Sequence, residues 1–219
     1  MIPPTDQAPA RVEIAILCYP GAQATCVHGL TDLFAYAEHF ARMHAGSVRP
    51  FMRVSHWRQG SSDGEFECEV AGRLATGIRP HVVIVPATQV GPVERGYAAP
   101  SVAWIRRKHA EGTIVAAVCG GVFLLADSGL LAGRRATTHW LFADELGRRF
   151  PDTTIDADRL VIDDGDVVTA GGVLAWVDLG LSLVDRLLGG TVMASTARFM
   201  LTDPPGREQR YYSLFAPRM

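Results

Sequence analysis

Three apolar runs rich in β-branched residues, each stopped by turn residues, alternate with helical stripes. They predict an α/β chain folded as a three-layer sandwich: a mostly parallel sheet with helices on both faces. The runs are 12–18 (VEIAILC), 81–85 (HVVIV) and 113–118 (TIVAAV). They are apolar almost throughout instead of alternating, as in a strand buried on both faces. The 219 residues, 48% apolar and 20% charged, suit one α/β domain with a large core.

Taken in order, the first run ends at Tyr19-Pro20-Gly21, a turn. Leu30, Leu33, Phe34, Ala37 and Phe40 then form the apolar stripe of a helix over 29–44. Residues 50–56 and 65–70 read as strands, the second alternating and therefore at an edge. Pro86 closes the second run, and a helix over 100–111 has Pro100 near its start and Gly112 just past its end. Helical segments follow the third run at 121–129 and 138–149. Residues 159–162 and 166–169, around Asp163-Asp164-Gly165, form a small β-hairpin, and helices cover 173–188 and 190–201. Residues 1–10 read as a disordered leader without signal-peptide character, 11–202 as the α/β domain, and 203–219 as a less compact tail. Ligands of open α/β sheets gather at the carboxyl ends of the strands, so the turns after Cys18, Val85 and Val118 should face one crevice.

Composition excludes several classes of function. With a net charge of −2 and a pI near 6.4 the chain does not look like a polyanion binder, since phosphate contacts come mostly from clustered Lys and Arg. No window has the ~18–20 apolar residues of a membrane span. Cys18, Cys26, Cys68 and Cys119 form no CxxC or zinc pattern and read as reduced thiols of a cytoplasmic protein. There is no GxGxxG after a strand and no P-loop, so neither a cofactor nor a metal is expected.

The chemistry centres on Cys119, where the third strand runs into Cys119-Gly120-Gly121 and then a helix. Small neighbours let the backbone turn sharply and a ligand approach, the logic of a nucleophile elbow. A helix N-terminus favours the thiolate, so a lowered thiol pKa is expected. His139, in Ala136-Thr137-Thr138-His139-Trp140, is the candidate partner, since Cys–His pairs activate thiols. Trp140 and Trp176 read as core or interface residues, Arg134-Arg135 as a solvated or salt-bridged pair, and Asp32 as an exposed helix residue.

The stretch 117–151, AVCGGVFLLADSGLLAGRRATTHWLFADELGRRFP, resembles the signature of the ThiJ/PfpI superfamily. The resemblance extends to Tyr19-Pro20-Gly21, to Val168–Val173 and to Asp178-Leu179. It implies a flavodoxin-like fold, Cys119 and His139 as candidate nucleophile and partner, and a homodimer. Arg207–Ser213 (REQRYYS) resembles the segment that closes the sensor domain of GlxA-like AraC-family transcription regulators, in which a helix-turn-helix DNA-binding domain follows.

Against the catalytic members, three features are altered. Cys26 stands where isonitrile hydratase-like sequences carry an acid, and a thiol is a poor substitute for a carboxylate in proton transfer. Gly120 replaces a threonine, and Ala87-Thr88 replaces a glycine-rich oxyanion loop. Cys26, His28, Ala87, Thr88, Gly120 and Gly121 are therefore candidate ligand-binding residues around Cys119. Three readings stay open: a sensor of an unknown small molecule, reaching DNA only through a C-terminal helix-turn-helix domain; a cysteine-dependent hydrolase or hydratase of a small amide, isonitrile or aldehyde; and a redox protein with an oxidisable Cys119.

Overall fold

The computed structural model of the chain describes residues 12–61 and 64–213. In chain order the elements are β1 (Val12–Leu17), α1 (Ala24–Ala45), β2 (Met52–Gln59), β3 (Phe66–Val70), β4 (Arg73–Ala75), β5 (Val82–Val85), α2 (Ala99–Ala110) and β6 (Ile114–Val118). There follow α3 (Val122–Asp127), β7 (Arg135–Ala136), α4 (Ala143–Arg149), β8 (Thr154–Ile155), β9 (Val161–Asp163), β10 (Val167–Ala170), α5 (Trp176–Leu188), α6 (Gly190–Phe199) and α7 (Arg210–Ser213).

Eight strands form one sheet in the order β4-β3-β2-β1-β5-β6-β10-β9. The five in the middle run parallel, and antiparallel strands finish both margins. This is the flavodoxin-like α/β architecture expected from the sequence. The apolar runs are explained by period-two alternation between two cores. Ile14 and Ile16 of β1, Val82 and Ile84 of β5, and Ala116 and Val118 of β6 face α1, α5 and α6. Their neighbours Ala15, Leu17, Val83, Val85, Val115 and Ala117 face α2, α3 and α4. Register sets the functional end: Ile16 pairs with Ile84, Val85 with Ala117 and Ala170 with Val118, so the carboxyl ends of these strands lie close together.

Several boundaries differ from the sequence reading, each for a local reason. Helix α1 begins at Ala24, not at 29, which puts Cys26 and His28 on the helix. Gly29 interrupts the apolar pattern, but in the fold the Trp176 ring closes over it. The helix expected over 138–149 starts later. His139 is extended (φ −56°, ψ 133°) and precedes a single 3₁₀ turn, Trp140–Phe142, before α4. Strand β4 and the two-stranded β7–β8 sheet are too short to show any period. The margin hairpin β9–β10 forms as expected, one to two residues further along. Arg134 pairs with Asp164 and Asp166, and Arg135 with Asp156.

The leader expected at 1–10 lies outside the described residues. The segment expected to be a less compact tail is mostly exposed in its described part but anchored at two points: Gln209 is only 2% exposed and Arg207 is bound to buried Asp178.

Candidate functional site

At the end of β6 the chain turns at Cys119, whose φ of +53° lies in the left-handed region that costs a non-glycine residue of order 1 kcal/mol or more. The two glycines that follow make the turn possible by what they lack. A Cβ on Gly121 would lie 2.2 Å from the Pro86 carbonyl oxygen and 2.9 Å from that of Val85. A Cβ on Gly120 would lie 2.0 Å from the Thr88 hydroxyl and 3.0 Å from the Gly91 carbonyl. The loop after β5 therefore rests directly on the elbow.

That loop is itself tied down. The Thr88 hydroxyl donates to the Gly91 carbonyl. Gln23 N–H donates to the Ala87 carbonyl at 2.8 Å, and Gln89 N–H to the Gly21 carbonyl at 3.1 Å. The Tyr19 hydroxyl donates to the Pro86 carbonyl at 2.7 Å. From the other side Thr138 Oγ1 donates to the Cys119 carbonyl at 2.8 Å. The result is a roofed elbow in which Cys119 is 2% exposed and Cys26 fully buried.

Electrostatics follow burial, against the expectation of an activated thiol. Burial pushes the Cys119 thiol up to about 11, and the Gly120 N–H offsets only part of this. Burial pushes Cys26 up to about 12; the Ala87 N–H draws it down and neighbouring Cys119 adds to the rise. The Tyr19 hydroxyl is raised well above its ordinary value by burial, then by Cys26, Cys119 and Tyr97. These mutual effects put Tyr19, Cys26 and Cys119 in one buried cluster of neutral groups. The thiol is raised by burial despite its place at the start of a helix.

The structure thus gathers Cys26, Ala87, Thr88, Gly120 and Gly121 around Cys119. His28 lies elsewhere: it is exposed on α1, its ring 6.3 Å from that of His56 on β2. His56 in turn hydrogen-bonds Thr31 at 2.9 Å. Asp32 is exposed, as expected.

His139 faces a different space. Its Nδ1 accepts the Leu141 N–H at 3.1 Å, so in the neutral ring the proton sits on Nε2. Burial lowers its pKa and favours that neutral form. The ring packs against Trp140 and Phe142, and no hydrogen bond joins it to the Cys119 thiol among the described residues.

Beside His139 opens a cavity of about 300 Å³, walled by Trp140, Leu160, residues 172–175, Arg207, Gln209 and Tyr212. Two long-range anchors build its far wall. Arg207 grips Asp178 of α5 in a two-point ion pair, Nε to Oδ1 at 3.0 Å and Nη2 to Oδ2 at 2.6 Å. The Gln209 side-chain amide donates to Thr137 Oγ1, the Thr138 carbonyl and the Arg159 carbonyl, and its oxygen accepts the Trp140 N–H. Gly171 leaves the room for this: a Cβ there would lie 2.4 Å from Gln209 Nε2. Sequence reasoning gave Asp178, Arg207 and Gln209 no place in a site, although all three lie in segments that carry the family resemblance. Among the described residues no group of three or more His, Cys, Asp or Glu could hold a metal ion, and no helix is long and apolar enough to cross a membrane.

Residues 15–186 match the model of the DJ-1/PfpI family. The chain is 38% identical over 86 residues to isonitrile hydratase of Pseudomonas putida, covering 39% of this chain and 36% of the relative. It is 30% identical over 132 residues to the HTH-type transcriptional regulator CdhR of Pseudomonas aeruginosa, covering 59% of this chain and 35% of the relative. The matched stretches thus span about a third of the length of these curated relatives. The crystal structure of Drosophila melanogaster DJ-1beta superposes with a TM-score of 0.67 at 18% identity, covering 88% of this chain and 98% of that one, which shows the shared fold. With its elbow cysteine at the end of β6, its flavodoxin-like sheet and a family match running from β1 into α5, the chain belongs to the DJ-1/PfpI family.

Proposed function

We propose that this chain is the ligand-sensing domain of an AraC-type transcription regulator and does no chemistry at Cys119. The observation that carries the reading is the pair of thiols at the elbow. Where a hydratase-like site has an acid, Cys26 is a buried thiol held at about 12, and Cys119 beside it is held at about 11. Burial disfavours the thiolate at Cys119, and the position of the acid holds a thiol instead of a carboxylate. The similarity to a regulator such as CdhR supports the reading.

The described C-terminal segment supports it in a second way. Arg207 and Gln209 wall the cavity, and the chain continues from them through α7. Ligand contacts in the cavity would bear on whatever follows. In this reading the domain works in the cytoplasm as a homodimer, and DNA is contacted by a helix-turn-helix domain after the segment.

The alternative is a cysteine-dependent hydrolase or hydratase. The left-handed Cys119 backbone and the similarity to isonitrile hydratase favour it. One experiment separates the two: incubation with isonitriles, small amides and methylglyoxal, compared with Cys119→Ala. We expect no turnover above that variant. Turnover abolished by Cys119→Ala would sink the sensor reading. Sedimentation should show a dimer at micromolar concentration.

A further inference from the structure

We propose that the cavity between the His139 loop, the start of α5 and Arg207 binds a small organic monocarboxylate with an apolar body. The inference goes beyond the elbow candidates by naming a separate site. It rests on the sensor reading only for its biological meaning.

The size and walls come first. About 300 Å³ is at the small end of ligand pockets. Trp140, Leu160, Val173, Leu174 and Tyr212 line it, and Val173, Leu174 and Tyr212 are all large apolar side chains left exposed. Such a concentration on one surface marks a place that something apolar covers.

The polar groups then select the head. Arg207 spends Nε and Nη2 on Asp178, which leaves Nη1 with no hydrogen bond among the described residues. His139 accepts at Nδ1, so Nε2 is a donor. No carboxylate is among the lining residues, since Asp178 is buried against Arg207. The Gln209 oxygen, the one side-chain amide acceptor on the walls, already takes the Trp140 N–H. The walls among the described residues therefore offer side-chain donors and a guanidinium and carry no carboxylate of their own for a cation. An acceptor-only anionic head fits, and a carboxylate meets a guanidinium edge with charge-assisted hydrogen bonds. Asp178, with Asp203 acting more weakly, cancels much of the guanidinium charge, so the preference is set by donor geometry as well as by charge.

The test uses the full chain and three matched probes: 4-phenylbutyrate, 4-phenylbutyramide and 4-phenylbutylamine. Binding is read by calorimetry and by amide and indole NMR shifts. We expect the carboxylate to bind at least about tenfold more tightly than the amide, a difference of about 1.4 kcal/mol, and the amine not to bind. Shifts should concentrate at Trp140 and residues 172–175. Arg207→Lys keeps a charge beside Asp178 but loses the fork, and should erase most of the carboxylate preference. Should that variant fail to fold, Leu174→Glu alters only an exposed lip. It should abolish carboxylate binding and admit the amine. Equal binding of the three probes, shifts centred on the Cys119 elbow, or no binding of 4-phenylbutyrate at millimolar concentration would overturn the proposal. The turnover comparison with Cys119→Ala addresses the sensor reading separately, so the two can fail independently.

Discussion

The elbow and the cavity are neighbours at one end of the sheet and are built on opposite principles. At Cys119 everything is closed: two glycines admit the loop after β5, four hydrogen bonds fix that loop, and the thiols are buried and neutral. At His139 the walls stand apart, apolar side chains remain exposed, and the far wall is brought from the end of the described chain by Arg207 and Gln209. One strand end thus supplies a closed, hydrogen-bonded knot, and the adjoining loop supplies a cavity with side-chain donors among its walls. On the reading proposed above, the fold's most recognisable residue lies in the sealed half and ligand selection in the open half.

The largest expected effect strikes the sealed half. Gly121→Ala forces a Cβ against two backbone carbonyls that have nowhere to go, and should cost about 3–4 kcal/mol in urea unfolding. A cost below 1 kcal/mol would show that the roof is loose and the two regions are less different than described.

Alkaline pH tests the neutrality of the thiols. Both are raised above their ordinary value of 9.0, to about 11 and about 12, so the folded chain holds these protons longer than the unfolded one. The stability this confers is complete below pH 9 and is lost as pH rises through 11, on the order of 3 kcal/mol for Cys119 alone. Cys119→Ala should flatten that limb of the stability profile. An unchanged limb would mean that the thiol is already ionised and the sealed-knot description fails.

On the open side, Arg207→Ala leaves the Asp178 carboxylate buried and unpaired, and should cost about 3 kcal/mol. Combining it with Asp178→Asn should recover about half of that loss in a double-mutant cycle. Additive losses would show that the ion pair does not hold the wall.

The smallest effect is the most local. At most positions glycine is less stable than alanine, but at a φ of +53° the order should reverse. Cys119→Gly should exceed Cys119→Ala in stability by roughly 1 kcal/mol. Equal stabilities would mean that the left-handed backbone is not a constraint on the elbow.

The two regions were unequally legible in the sequence. The sheet, its parallel core and the strand–Cys–Gly–Gly–helix turn follow from contiguous patterns, because apolar runs and glycine pairs act over a few residues. The direction of the Cys119 pKa was misjudged because helix position is local, whereas burial under the Thr88–Gly91 loop is a tertiary fact. His28 was grouped with the elbow because the first turn was read as a loop; as a helix residue it points to β2. The cavity was invisible because its far wall comes from residues 207–212, far along the chain from the His139 loop. No period or motif spacing encodes a contact such as Gln209 with the Thr138 carbonyl.

The seating of Gln209 against Gly171 has a practical corollary for anyone cutting or splicing this molecule. The family match stops at 186, but a chain shortened there would lose Arg207 and Gln209, stranding the Asp178 carboxylate and the Trp140 N–H. The set of residues tied together by these contacts therefore runs beyond the family match. A junction for a reporter or a foreign effector belongs after Ser213, where it would inherit a covalent connection to the cavity wall.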